Sequence, residues 1–73
     1  MDRVTKTRRE LEAIVLAELR SRPCSQNASA IVVHRAEVVG DWFVGPVGFF
    51  GDEPPSGIAE VVSELRNEFQ IAA

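Results

Sequence analysis

Hydrophobic residues recur with a helical period in the first third of the chain. At 100° per residue, one face carries Leu11, Ile14, Val15 and Leu19. This pattern predicts a helix from about Thr5 to Arg22, capped by Thr5 or Thr7, with Glu10 as the partner in a capping box with Thr7. Pro23 ends the helix. Leu16 lies outside the middle of the apolar face, so either that face is broad or Leu16 contacts something else.

The middle of the chain has the composition of strands. The run from Ser29 to Val39 is rich in β-branched residues, and a second β-prone run extends from Trp42 to Val47. Gly40-Asp41 between them predicts a two-residue type II′ hairpin that pairs Val39 with Trp42, Glu37 with Val44 and Arg35 with Pro46. Pro46 cannot donate to a ladder, so it belongs on an edge or ends the strand. Phe49-Phe50 forms either a short third strand or a turn.

A second helical pattern occupies the last part of the chain. It predicts a helix from Pro55 or Ser56 to Gln70, with Ser56 as N-cap and Ile71 outside the apolar stripe at a terminus that frays. The stripe consists of Ile58, Val61, Val62, Leu65, Phe69 and Ala72. The order predicts an α+β fold in two layers, αββα or αβββα, as one domain over residues 1–73 with both helices on one face of a small antiparallel sheet.

Aromatic residues are concentrated in residues 40–51, GDWFVGPVGFFG, which hold four of the chain's five aromatic residues. Two helices can cover only one face of a short sheet, and 73 residues leave no third layer for the other face. An exposed apolar patch of several hundred Å² usually marks a contact site. The sequence therefore predicts a protein-binding surface, against the alternative that Phe49-Phe50 complete the core. Its residues are Trp42, Phe43, Phe49 and Phe50, with Leu16 on the first helix.

The small size of the chain favours association. A domain of this length is only marginally stable and is often stabilised by disulfides, metals or oligomerisation. Cys24 is the only cysteine, which excludes an internal disulfide, and one cysteine with one histidine excludes a Cys/His zinc site within a monomer. We therefore expect no cofactor and a homodimer or a protein partner. No small-molecule substrate is indicated.

Charge is distributed unevenly along the chain. Residues 1–35 carry a net +3 and residues 36–73 a net −6. The first nine residues include four basic ones, Arg3, Lys6, Arg8 and Arg9. The predicted order of helices and strands is similar to that of double-stranded-RNA-binding domains. Those domains open their second helix with a lysine cluster, whereas the second helix here opens with PPSGIAE. An overall acidic chain binds polyanions poorly, so a nucleic-acid-associated regulator is the alternative function rather than the favoured one.

No sequence motif supports catalysis. GxGxxG, GxxxxGK[ST], HExxH, CxxC and GxSxG do not occur, and nothing in the sequence places Cys24 beside His34. We expect a protein that is not an enzyme. No stretch reaches the 18 or so apolar residues of a membrane span, and glutamates interrupt the N-terminal apolar run. Together with the lone free cysteine, these features favour a cytoplasmic protein.

One resemblance covers most of the chain. ELEAIVLAELR, the Pro-Cys that follows, a strand and then a strand that begins with Asp-Trp resemble small soil or rhizobial-type alphaproteobacterial proteins that have no assigned activity. The resemblance implies a bacterial source and a shared fold, and it implies no role. The sequence thus leaves the biochemical function undetermined and favours a small non-catalytic domain for protein interaction or self-association.

Overall fold

Two helices and four strands make up residues 3–72, the part of the chain that a computed structural model describes. In chain order they are β1 (Val4–Lys6), α1 (Arg8–Arg20), β2 (Ala28–Arg35), β3 (Trp42–Phe49), α2 (Ile58–Glu68) and β4 (Phe69–Ile71). A 3-10 turn at Pro23–Ser25 joins α1 to β2. The fold is α+β and contains the antiparallel β2–β3 pair, as predicted. Residues 1 and 73, the predicted domain bounds, lie outside the described range.

The first helix begins at the capping box that the sequence indicated. The Thr7 hydroxyl accepts a hydrogen bond from the Glu10 N–H at 3.2 Å, and the Glu10 carboxylate accepts one from the Thr7 N–H at 3.1 Å. These reciprocal bonds satisfy two N–H groups that have no partner inside the helix. Thr5 was the alternative cap, and that alternative is wrong because Thr5 belongs to β1.

The hairpin register differs from the prediction. Trp42 pairs with Arg35 rather than with Val39, and a loop of residues 36–41 replaces the two-residue turn. The loop is closed by hydrogen bonds from the Ala36 N–H to the Asp41 carbonyl and from the Asp41 N–H to the Val38 carbonyl. The Asp41 side chain accepts hydrogen bonds from Arg66 on α2, which attaches the end of the loop to that helix.

The second helix begins later than predicted. Gly57 is the N-cap, and its φ of +74° is in the left-handed region that favours glycine. Ser56 does not cap the helix, which corrects the prediction, because its N–H and its hydroxyl both donate to the Cys24 carbonyl. These bonds attach the segment before α2 to the 3-10 turn.

A parallel ladder between the first and last strands was not predicted. Val4 pairs with Phe69 and Lys6 with Ile71. The Ile71 N–H also donates to the Gly40 carbonyl at 3.0 Å. The expectation that Ile71 lies at a fraying terminus is wrong, since Ile71 is buried, lies opposite Lys6 in the ladder and donates to Gly40.

The core lies between the helices and one face of the β2–β3 sheet. α1 and α2 both contribute to it, and Trp42 is its largest fully buried side chain. The buried hydrophobic residues are Leu11, Val15, Leu19, Ala28, Ile31, Val33, Trp42, Val61, Leu65 and Ile71. On the opposite side of this sheet Val32, His34 and Phe43 are exposed, so no layer of described residues covers them.

Candidate protein-interaction surface

The side of the β2–β3 sheet that faces away from the helices is called the outer face below. Val32 stands between the buried residues Ile31 and Val33, so strand alternation points its side chain away from the core. His34 and Phe43 are directly paired across the ladder, and both are exposed. Phe43 keeps 47% of its surface exposed, which is high for a phenylalanine. The outer face is therefore apolar and uncovered.

His34 lies flat on this face. Its ring stacks on Phe43 with the centroids 5.2 Å apart and the planes inclined by 27°. Gly45 makes the arrangement possible, because a Cβ there would sit 2.5 Å from the imidazole Nε2. The aromatic stretch thus supplies both a ring and the glycine that lets a second ring lie against the backbone.

A bulge interrupts β3 at its centre. Ile31 pairs with Val47 and Val33 with Val44, so Gly45 and Pro46 together oppose Val32 alone. Proline is tolerated in a sheet at bulges and on edge strands, and β3 provides both conditions. The strand continues past Pro46 to Phe49, beyond the predicted end at Val47.

Phe49 and Phe50 lie at the far end of β3, and both are exposed. No third strand forms there: Phe49 is the last residue of β3, and a loop follows. Asn27 fixes the start of this loop, because its carbonyl accepts from the Phe50 N–H while its amide donates to the carbonyls of Phe50 and Glu53. Phe50, 69% exposed, is held outside the core rather than folded under α2.

Two of the predicted contact residues belong to the core instead. Trp42 is fully buried, and its indole Nε1–H donates to the Phe69 carbonyl at 3.1 Å. Leu16 is partly buried and packs against the core cluster. The broad-face alternative for α1 therefore applies to Leu16. The aromatic residues of the surface are Phe43, Phe49 and Phe50.

The four basic residues near the start of the chain are engaged differently. Arg3 donates to the Arg66 carbonyl at 3.2 Å, and Lys6 lies 3.9 Å from the Glu10 carboxylate. Arg8 and Arg9 are exposed in the first turn of α1. The Glu10 carboxylate beside Lys6 reduces the positive electrostatic potential at this turn. The nucleic-acid interpretation therefore depends on Arg8 and Arg9.

An ion pair that the sequence did not indicate joins the β2–β3 loop to α2. Arg66 donates to both carboxylate oxygens of Asp41, at 2.7 and 2.8 Å for Nη2. The hydrogen bonds from Arg66, with a further one from the Trp42 N–H, hold the pKa of Asp41 below its usual range. Bidentate geometry gives this pair directional specificity that a single contact lacks.

The groups with reactive side chains do not converge. The Cys24 thiol donates to the Ser56 carbonyl at 3.5 Å beside the 3-10 turn, whereas His34 stacks on Phe43 on the outer face. Within residues 3–72, no three or more His, Cys, Asp or Glu side chains cluster in a way that could hold a metal ion. No helix in the same range is long and apolar enough to cross a membrane.

A groove that periodicity could not reveal runs along β3. It has a volume of about 440 Å³ and is lined by Phe43 and Val44 on one side and by Ile58, Ala59 and Val62 of α2 on the other. Adjacent strand residues point to opposite faces, so a groove lined by both Phe43 and Val44 must follow the edge of β3.

Comparison of the chain with protein-family models, with curated proteins and with solved structures finds no match.

Proposed function

We propose that this chain is a small non-catalytic domain whose function is self-association through the β2–β3 sheet. The observation that carries the proposal is the uncovered outer face, where Phe43 and Val32 are both exposed beyond 40% and Phe50 is exposed just past the end of β3. Large apolar side chains grouped on one surface characterise contact sites, and aromatic residues supply the largest gains when such a surface is covered.

A second copy of the chain is the partner that this surface fits. A two-fold interface places each patch against itself, so a charged patch would repel its copy. The eight residues of β3 include no Asp, Glu, Lys or Arg, and β2 has only Arg35 at its last position. Arg35 is directed away from the outer face, because its Nε donates to the Ala72 carbonyl at 3.1 Å. The sheet is therefore free of like-charge repulsion at a symmetric contact.

The test is the solution mass over a concentration series, measured by light scattering after size exclusion. The wild-type chain should approach twice its 8.0 kDa mass as concentration rises. Phe43→Ser should raise the dimer dissociation constant by tenfold or more, because it removes an apolar anchor worth at least about 1.4 kcal/mol.

Val39→Ser provides the matched control. Val39 is 85% exposed and apolar, but it lies in the loop of residues 36–41 and not on the sheet. This variant should leave the dissociation constant unchanged, and circular dichroism should show that both variants are folded. A wild-type chain that stays monomeric at every concentration, or equal effects of the two variants, would refute self-association through the sheet.

A further inference from the structure

The two edges of the β2–β3 sheet are treated differently. On the β2 side, the Glu12 carboxylate accepts from the Val33 N–H at 3.0 Å, and Arg20 donates to the Ala28 carbonyl at 3.1 Å. These side chains from α1 form hydrogen bonds with backbone groups of β2 that would otherwise be free to pair with another strand. On the β3 side, apart from its ladder with β2, the backbone of residues 42–49 makes one hydrogen bond to any described residue, from the Trp42 N–H to the Asp41 carboxylate. One edge is closed and the other is open.

The direction of each backbone group on β3 follows from its neighbours. Because the Val33 N–H points to Glu12, the Val33–Val44 pair is a non-hydrogen-bonded pair, and the N–H and C=O of Val44 point away from β2. At the other end, the Phe50 N–H donates to Asn27 beside β2 at 2.7 Å. Alternation along the strand then directs the groups of Phe49 and Val47 away from β2 as well.

The outward groups are arranged symmetrically about the bulge. Trp42 and Val44 precede it, Val47 and Phe49 follow it, and the midpoint of both spacings is the Gly45–Pro46 bond. An antiparallel strand in the same sequence would present its own outward groups in the matching positions.

We infer that β3 of one copy pairs antiparallel with β3 of a second copy, with Val44 opposite Val47 of the second copy. This inference rests on the proposed self-association and places the contact at the β3 edge, so the outer faces of the two copies form one continuous face on which Phe43 contacts the second copy. Each Val44–Val47 pair exchanges both of its backbone hydrogen bonds, which gives about four bonds at the centre of the interface. The result is a four-stranded sheet with the order β2, β3, β3 and β2.

The register explains the role of Phe43. It places Phe43 opposite Gly48 of the second copy on the outer face, where the two Cα atoms of a non-hydrogen-bonded pair lie about 4.5 Å apart. The missing side chain at Gly48 leaves room for the ring, an arrangement known to stabilise glycines in sheets. The groove beside β3, lined by Ile58 and Val62, borders the same edge and receives apolar side chains of the second copy.

The test measures amide hydrogen exchange by NMR on the full chain, diluted and concentrated. The N–H groups of Val44, Val47 and Phe49 should exchange quickly in dilute protein. At a concentration of 100 times the dissociation constant, roughly 7% of chains are monomers, so their exchange should slow by about tenfold or more. The N–H groups of Phe43 and Gly48 point to β2 and should be protected at both concentrations.

Isotope-filtered NOE spectra on a mixture of labelled and unlabelled chains fix the register. They should show contacts between the Phe43 ring and the Gly48 α-protons of the other copy. A dimer in which the Val44 and Val47 amides keep their dilute exchange rates would overturn edge pairing and leave self-association standing. A chain that remains a monomer throughout would overturn both proposals, and no substitution is needed to obtain either result.

Discussion

Replacing Trp42 with phenylalanine tests whether the first aromatic residue of the stretch is a core residue. The change removes the indole N–H that donates to the Phe69 carbonyl, which lies in a partly buried position. An acceptor left without its donor costs about 1 to 2 kcal/mol. About two ring carbons also leave a fully buried site, which adds roughly 1 to 2 kcal/mol with the residual cavity. The free energy of unfolding should therefore fall by about 2 to 4 kcal/mol.

That loss is large for a chain of this size, whose whole stability is expected at roughly 4 to 11 kcal/mol. The assay is urea unfolding followed by far-UV circular dichroism, since Trp42 is the only tryptophan and its fluorescence disappears with it. All proteins are measured at one low concentration, because association adds stability. Phe50→Leu, at an exposed position, is the control and should change stability by no more than about 0.5 kcal/mol. Equal stability of Trp42→Phe and wild type would show that the indole does not anchor the core.

Two further predictions concern the start of α1 and the β2–β3 loop. Thr7→Ala removes the capping box and should lower the free energy of unfolding by about 1 kcal/mol, which corresponds to a fall in melting temperature of roughly 4 to 8 °C. Thr7→Ser keeps a hydroxyl at the cap and should retain most of the wild-type stability. An unchanged melting temperature for Thr7→Ala would contradict the role of the cap. The hydrogen bonds from Arg66 lower the pKa of Asp41, and those from Thr7 lower the pKa of Glu10. Each ionised carboxylate therefore stabilises the folded chain above the ordinary carboxyl pKa of about 4. This stability is lost as pH falls through the lower pKa of the folded state. Asp41→Asn should flatten the decline of stability with acid in denaturation series below pH 4, and an unchanged decline would show that the Asp41–Arg66 pair is not linked to folding.

The helices could be predicted because their signals are local. The Thr7–Glu10 capping box and the apolar face of α1 lie within a few turns, and the hydrophobic period alone identifies which side is buried. The stripe of α2 was correct from Ile58 to Leu65, but the predicted end at Gln70 is wrong: the helix ends at Glu68, Phe69 begins β4 and Ala72 follows it. The start of α2 was misplaced because Ser56 bonds to Cys24, 32 residues earlier, and a distant acceptor leaves no mark on the local sequence.

The hairpin shows a different limit. Gly40-Asp41 has the composition of a tight turn, but Asp41 is held in the wider loop by a side chain on α2, which the local sequence does not reveal. The candidate interaction surface was half predictable. Strand alternation and the lack of a third layer indicated that some aromatic residues stay exposed. The structure confirms this for Phe43, Phe49 and Phe50. Alternation placed apolar residues on both faces of β3 without showing which face the helices cover, so Trp42 was assigned to the surface although it belongs to the core.

The open edge of β3 could not be read from the sequence at all. Its identity depends on Glu12 reaching the Val33 N–H across the other edge, a contact between residues 21 positions apart. Glutamate on a helix is ordinarily a solvated residue, and only its position beside β2 gives it this role.

The parallel ladder of β1 and β4 has a consequence for how the chain is made. Thr5 and Gln70, which lie 65 positions apart, are partners in the ladder, and their side chains are also hydrogen-bonded. Closing so long a loop costs roughly 2 kcal/mol more entropy than closing the six-residue loop between β2 and β3. On the ribosome, residues 4–6 emerge early and have no strand to join until residues 69–71 have been added. The strand of residues 4–6 is therefore made well before its partner, and on a nascent chain it stays unpaired until residues 69–71 have been added.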